Sequence, residues 1–202
     1  MSMLIFVVAL SYILGSVPSS IIAGKVLRGI DIRNYGSGNA GGTNTFRVLG
    51  WKPGLLVMAA DIFKGVVATL WIAPLAFGAI SLTPDTIRLI AGVSAIAGHI
   101  WTVFAGFRGG KGVGTAAGVL IILYPLPLLI CLAVFLGVLA IWRIVAVSSL
   151  SAAVAFPVVL SVFKFGLEQP MATPLYYFGF AASILIIYTH RSNIRKLLEK
   201  KT

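Results

Sequence analysis

Long apolar runs, separated by shorter polar stretches, dominate the chain. A helix needs about 20 apolar residues to cross a bilayer, and such runs cover 3–23, 53–77, 86–104, 113–142, 145–163 and 174–188. The run over 113–142 is too long for one crossing, and Pro125 and Pro127 interrupt it near its middle. The pattern therefore predicts an all-α integral membrane protein with seven transmembrane helices, some of them short, in a single domain over 1–202.

Composition also indicates a membrane protein, and it changes how the positive net charge is interpreted. The chain is 59% hydrophobic and 10% charged, whereas soluble domains are about 45–50% apolar and about 25% charged. A net charge of +11 in a soluble chain would suggest nucleic acid. Here we expect no nucleic-acid partner, because cations of membrane proteins mark the cytoplasmic side, lipid headgroups or an anionic substrate.

Lysines and arginines concentrate on one side of the seven-helix topology. They lie in the 24–52 loop, the 107–111 turn, the turn at Arg143 and the tail that ends with Lys200 and Lys201. Arg88 and Lys164 fall on the other side, and Lys64 falls within the second span. The positive-inside rule therefore places these loops and the C-terminus in the cytoplasm and the N-terminus outside.

Two glycine-rich polar segments interrupt the apolar chain on the predicted cytoplasmic side. Segment 34–47 reads NYGSGNAGGTNTFR, and segment 106–115 reads GFRGGKGVGT and leads into a helix. Glycines let backbone N–H groups converge on an anion, and helix N-termini favour negative charge. Both segments therefore predict phosphate binding at the membrane surface. For 106–115, the alternative that glycines only allow close helix packing stays open.

The titratable residues favour anion binding over metal chemistry. The five acids are scattered, and two histidines with one cysteine, Cys131, make no metal-ligand cluster. We therefore expect no metal and no cofactor. His190 and Asn193 would share a helix face. His99, near the end of a span, could be catalytic or a hydrogen-bonded helix residue, and both interpretations stay open.

Six blocks of this sequence resemble the bacterial acyl-phosphate:glycerol-3-phosphate acyltransferases in order and over nearly the whole chain. They are GSVP at 15–18, GSGNAGGTNTFRVLG at 36–50, Asp61 with Lys64-Gly65, Gly98-His99, FRGGKGVGTAAG at 107–118 and HRSNIRKLL at 190–198. The resemblance implies a seven-span enzyme that moves a fatty acyl group from acyl phosphate to the 1-hydroxyl of glycerol 3-phosphate. The products would be lysophosphatidic acid and phosphate, in the first acylation of phospholipid synthesis.

The resemblance also implies roles for individual residues. The residues that resemble catalytic contacts to glycerol phosphate and phosphate are Ser37, Arg47, Lys111, His190 and Asn193, with Ser149 matching a family serine at the start of the sixth span. The substrate-binding positions are Asn39, Gly42, Thr43 and Asn44, which resemble an acyl-phosphate cradle, together with Gly109 and Gly110. A substrate phosphate is expected to take the hydroxyl proton. The implied partners are glycerol 3-phosphate, acyl phosphate and membrane lipids, with no use of acyl-CoA and a monomeric chain.

Two other classes of protein compete with the enzyme. A transporter or channel for a small phosphorylated anion would also have cytoplasmic cationic loops and broken helices, but it would need polar groups along a path to the far side. Within the spans, Asp61 and Lys64 are close together and little else is ionisable. A structural subunit would explain neither glycine-rich segment.

Overall fold

The chain is almost entirely helical. The computed structural model describes residues 2–78 and 80–199, and within them no β-strand forms, so the all-α prediction is confirmed. The α-helices are α1 (Ser2–Ser16), α2 (Ser19–Arg28), α3 (Gly42–Leu49), α4 (Trp51–Val67), α5 (Pro84–Ile100), α6 (Val113–Leu123), α7 (Pro125–Trp142), α8 (Val145–Ser161), α9 (Thr173–Thr189) and α10 (Arg191–Glu199). Lys200 and Lys201 of the predicted basic tail lie outside the described residues.

Five helical segments in the described part of the chain are long and apolar enough to cross a membrane. They are Ser2–Arg28, Trp51–Ala76, Pro84–Ala105, Pro125–Trp142 and Val145–Gly166. Helices α6 and α9 are also apolar but have only 11 and 17 residues. These segments support a multi-pass membrane protein. That all seven predicted transmembrane helices cross the membrane stays a prediction.

The first predicted span is not one uninterrupted helix. Helix α1 ends at Ser16, α2 begins at Ser19, and the segment continues to Arg28 rather than ending near position 23. Pro18 accounts for the break, because proline has no N–H to donate to a helical carbonyl and disfavours helical backbone at the residue before it. Hydropathy does not reveal this break, since the apolar run 3–23 extends across it.

The predicted 24–52 loop also contains more helix than expected. Helix α2 ends at Gly29, whose left-handed φ of 67° suits glycine. Helix α3 then occupies Gly42–Leu49, and Trp51 already belongs to α4. The second half of the 34–47 segment therefore lies on a short helix, and only its first half is irregular.

The apolar run 113–142 divides at the predicted proline. Helix α6 ends at Leu123 and α7 begins at Pro125, a first-turn position where an N–H would have no intrahelical acceptor. The same boundary separates two compact units, Met1–Leu123 and Tyr124–Thr202. The description of the chain as a single domain stays a prediction.

Glycines bring the helices of the first unit into backbone contact. A Cβ on Gly15 of α1 would overlap the backbone of α5, and a Cβ on Gly98 of α5 would overlap the backbone of α1. Gly65 of α4 and Gly118 of α6 make the same reciprocal contact. Small residues at helix interfaces drive such close packing in membranes, and here they fix the helices that lead into the second glycine-rich segment.

The second unit is built on α7, α8 and α9. The Tyr124 hydroxyl donates to the Leu175 carbonyl at 2.5 Å, and its ring packs edge-on against Phe156 at a centroid distance of 5.6 Å. Tyr124 therefore ties the start of α7 to both α8 and α9.

Candidate functional site

The two glycine-rich segments lie side by side in the first unit. Arg33 precedes the first segment, and its Nη1 donates to the carbonyls of Ala105 at 2.8 Å and Arg108 at 3.2 Å. Further along, a Cβ on Gly110 would lie only 2.7 Å from the Ala40 carbonyl. The structure thus brings together the two segments whose composition predicts anion binding.

Arg33 itself is held by an ion pair. Its Nη2 lies 2.7 Å from Asp31 Oδ2, its Nε donates to Asp31 Oδ1 at 3.0 Å, and about a quarter of each side chain is exposed. The hydrogen bond from Arg33 lowers the pKa of the Asp31 carboxyl, and the same bond raises the pKa of Arg33. Arg33 is therefore more than a topology charge, because it links the two segments.

Asn44 organises the backbone of the first segment. Its side chain is almost fully buried, and Nδ2 donates to the carbonyls of Ile32 at 3.1 Å and Tyr35 at 3.0 Å. Its Oδ1 accepts from the Ser37 N–H at 2.8 Å. Both donors and the acceptor of the amide are thus used by the chain, so Asn44 shapes the turn that carries Ser37.

The second segment is fastened to the end of α5. The N–H groups of Gly109 and Gly110 donate to the carbonyls of Ile100 at 3.0 Å and His99 at 3.1 Å. A Cβ on either glycine would overlap atoms of His99, so both positions require close backbone approach. The last three residues of the segment, 113–115, form the start of α6, which agrees with the prediction that the segment leads into a helix. Gly109 and Gly110 therefore hold the segment in place with N–H groups that are already engaged.

A buried polar cluster lies beneath this segment. Lys64 Nζ donates to Asp61 Oδ1 at 2.8 Å, and His99 Nδ1 lies 3.6 Å from the same oxygen. A cavity of about 10 Å³ adjoins the three side chains and also touches Gly109 and Gly110. His99 is thus a buried neighbour of an ion pair, and it contacts the glycine-rich segment directly.

The other predicted residues of the first unit differ in exposure. Ser37, Thr43 and Arg47 are exposed, Asn39 and Lys111 are half-buried, and Gly42 is buried against Met58. No described residue makes a hydrogen bond or ion pair with the Ser37 or Thr43 hydroxyl or with the Arg47 guanidinium. These polar groups remain available to a ligand beside the two segments.

Three predicted residues belong to the second unit. Ser149 is buried in the first turns of α8. His190 is buried between α9 and α10, with Nδ1 2.8 Å from the Ile186 carbonyl. The half-buried Asn193 donates its N–H to the His190 carbonyl at 2.8 Å. His190 and Asn193 therefore share one helical turn, as their spacing predicts.

Two contributors to this region were not predicted from the sequence. In the sequence, the Asp31–Arg33 pair is visible only as an acid that comes two residues before an arginine, beside a glycine-rich stretch. Thr102 has no signal in the sequence, yet its hydroxyl donates to the Ser16 carbonyl 86 positions away. Only the packing of α1 against α5 brings these two groups together.

Comparison with known proteins identifies the family of the chain. A sequence model of the glycerol-3-phosphate acyltransferase family matches residues 5–200. The glycerol-3-phosphate acyltransferase of Chlorobium phaeobacteroides (strain BS1) is 48% identical, over 98% of this chain and 94% of that protein. The enzyme of the same name from Pelodictyon phaeoclathratiforme is 47% identical, over 96% of this chain and 93% of that one.

Solved structures give the same result. The crystal structure of PlsY (YgiH), an integral membrane glycerol 3-phosphate acyltransferase, in its glycerol 3-phosphate form matches with a TM-score of 0.81 and 38% identity, over 98% of this chain and 92% of that one. Its lysophosphatidic acid form matches with a TM-score of 0.80 and 36% identity, over the same shares. The chain therefore belongs to the glycerol-3-phosphate acyltransferase family and is an integral membrane acyltransferase.

Proposed function

We propose that this protein transfers a fatty acyl group from acyl phosphate to the 1-hydroxyl of glycerol 3-phosphate. The products are lysophosphatidic acid and phosphate, in the first acylation of phospholipid synthesis. The observation that carries the proposal is the pair of glycine-rich segments joined through Arg33, with Ser37 and Arg47 exposed and Lys111 on the second segment. Two phosphate-bearing substrates need such a cationic, donor-rich surface.

The reaction replaces one acyl–oxygen bond with another. The 1-hydroxyl oxygen attacks the carbonyl carbon of acyl phosphate, the bond from that carbon to the phosphate oxygen breaks, and phosphate leaves. The hydroxyl proton passes to an oxygen of a substrate phosphate. The side chains then serve to position the substrates and to stabilise developing charge. Arg47 and Lys111 are suited to hold phosphates, and Ser37 is suited to donate a hydrogen bond.

The remaining assignments follow the family resemblance. We assign Asn39, Gly42, Thr43 and Asn44 to the cradle of the acyl phosphate, Gly109 and Gly110 to the second substrate segment, and Ser149, His190 and Asn193 to the catalytic contacts. For Asn44, Gly109 and Gly110 the contacts described above favour a role in shaping the backbone of the site. The transporter alternative is set aside, because the chain is an acyltransferase.

The cellular setting is part of the same proposal. We infer seven crossings of a bacterial inner membrane, with the N-terminus outside and both glycine-rich segments in the cytoplasm, as the distribution of cations favours. The acyl chain would then reach the site from the surrounding lipid. We further propose that the protein acts as a monomer and needs neither a metal nor acyl-CoA.

An acyltransfer assay on the purified protein in lipid tests the donor. Palmitoyl phosphate with glycerol 3-phosphate should yield lysophosphatidic acid and phosphate, and palmitoyl-CoA should yield neither. EDTA should leave the rate unchanged. Turnover with palmitoyl-CoA alone would refute the proposed donor, and a large loss of rate with EDTA would refute the metal-free reaction.

A further inference from the structure

Among the described residues of the first unit, three ionisable side chains are buried within its helices. Asp61 and Lys64 of α4 are each 4% exposed, and His99 of α5 is 8% exposed. Charged groups within membrane spans are costly, and they persist where they pair with one another or serve a functional site. The contacts of this cluster therefore indicate what it serves.

The lysine of the cluster stabilises the break between α1 and α2. Because the residue after Val17 is a proline and α1 stops at Ser16, the carbonyls at the break lose their regular helical donors. Lys64 donates to the Val17 carbonyl at 2.5 Å, and the Thr102 hydroxyl donates to the Ser16 carbonyl. Asp61 holds the lysine in this position through its own bond to Nζ.

The histidine connects the cluster to the second glycine-rich segment. Nδ1 of the His99 ring approaches Asp61, with 3.6 Å between Nδ1 and Oδ1. On the other side, a Cβ on Gly110 would overlap Nε2 of the ring, and the His99 carbonyl accepts from the Gly110 N–H. Contacts therefore run without interruption from the helix break through Lys64, Asp61 and His99 to the residue before Lys111.

We propose that Asp61 is a positioning residue that holds residues 109–111 where the phosphate of glycerol 3-phosphate binds. The proposal rests on the proposed function in one respect, since it takes this segment as part of the phosphate site. Asp61 is buried, so it acts through other groups. Its carboxylate accepts a hydrogen bond from Lys64 on one side and lies against the His99 ring on the other, and the backbone of His99 carries the segment.

A charge-neutral variant tests this role. Asp61→Asn keeps the size of the side chain and removes its charge, and Asp85→Asn makes the same change in the exposed Asp85–Arg88 pair, which has the same i,i+3 spacing. Small misplacements can reduce binding and rate on the order of 10- to 100-fold. In Asp61→Asn we expect the Kd of glycerol 3-phosphate, measured by calorimetry in the absence of acyl phosphate, to rise by a factor of that order. The KM of glycerol 3-phosphate should rise by a similar factor. The KM of acyl phosphate should not change, and Asp85→Asn should match the unaltered protein.

Thr102→Val tests the same network without altering its charges. It removes the hydrogen bond to the Ser16 carbonyl, so the Kd of glycerol 3-phosphate should rise by a smaller factor while the KM of acyl phosphate stays constant. This variant decides the matter if Asp61→Asn does not fold. The proposal is overturned if the folded variants bind glycerol 3-phosphate normally, or if the KM values of both substrates rise together.

The two proposals can fail separately. If the unaltered protein binds glycerol 3-phosphate but does not use acyl phosphate, the proposed donor is wrong, and the comparison of Kd values still decides the role of Asp61. If the unaltered protein does not bind glycerol 3-phosphate, both proposals are overturned.

Discussion

At the residue scale, Asn44 illustrates how a polar side chain in a glycine-rich motif can serve the backbone. The composition of the 34–47 segment predicts a ligand-binding role for every polar group in it. The contacts separate them, because Asn44 is buried and satisfied by backbone groups, whereas Ser37 and Arg47 are exposed. Sequence cannot make this distinction, since it depends on how the turn around Ser37 and the short helix α3 orient each side chain.

Replacing Asn44 by aspartate separates structure from ligand contact. Asn44→Asp keeps the acceptor for the Ser37 N–H but removes both donors, so the carbonyls of Ile32 and Tyr35 each lose one hydrogen bond and keep only those from the N–H groups of Tyr35 and Gly38. We expect a loss of about 0.5–1.5 kcal/mol of stability for each hydrogen bond removed. Thermal unfolding in detergent measures this loss of stability. Asn39→Asp, the same change at a half-buried position, should leave stability unchanged, and equal losses in both variants would contradict the assignment.

The Asp31–Arg33 pair predicts a dependence of stability on pH. The hydrogen bond from Arg33 lowers the pKa of folded Asp31 below its usual value of 3.8. The pair therefore contributes its full stability above the unfolded pKa and loses it as the pH falls through the lower folded pKa. The difference in unfolding free energy between the unaltered protein and Asp31→Asn should stay constant from neutral pH down to about 4 and shrink below that. A carbon-13 titration of the Asp31 carboxyl checks the direction, and a pKa above 3.8 would contradict it.

At the element scale, periodicity and turn residues predict which segments are helical but not how they join. The break at Pro125 was predictable because the run 113–142 is too long for one crossing. The break at Val17–Pro18 was not, because that run has the length of an ordinary span. Lys64 of α4 and Thr102, which follows α5, stabilise the carbonyls there, and both residues are distant from the break in sequence. The site depends on such long-range contacts.

The contact between α4 and α6 predicts the effect of one methyl group. A Cβ on Gly65 would overlap the Thr115 carbonyl, so Gly65→Ala should force the helices apart at a cost of about 1–3 kcal/mol. Acyltransfer should fall as well, because α6 follows the second glycine-rich segment directly. Gly137→Ala on α7, where a Cβ would meet nothing within 4 Å, should be neutral or stabilising by up to about 1 kcal/mol. If both variants unfold at the same temperature, close packing is not the reason for Gly65.

At the scale of the whole molecule, the number of membrane crossings depends on whether the two short helices α6 and α9 cross the membrane. In the described part of the chain, five segments are long enough to span by themselves, whereas α6 and α9 have 11 and 17 residues. The distribution of basic residues favours crossing by both short helices. If α6 and α9 both cross, Arg143 and α10 fall on the same side as the two glycine-rich segments. Each short helix that fails to cross would move basic residues to the outside, against the positive-inside tendency.

Single cysteines can decide between these topologies. In a Cys131→Ala background, which removes the only native cysteine, we expect a membrane-impermeant maleimide to label Gln169→Cys in intact cells and to leave Arg143→Cys and Arg195→Cys unlabelled until the cells are opened. If α6 does not cross, Arg143→Cys and Arg195→Cys become accessible from outside and Gln169→Cys does not. If only α9 fails to cross, Gln169→Cys and Arg195→Cys are labelled together. The three positions therefore test each short helix separately, and either alternative would place part of the proposed catalytic set on the opposite side of the membrane from Lys111.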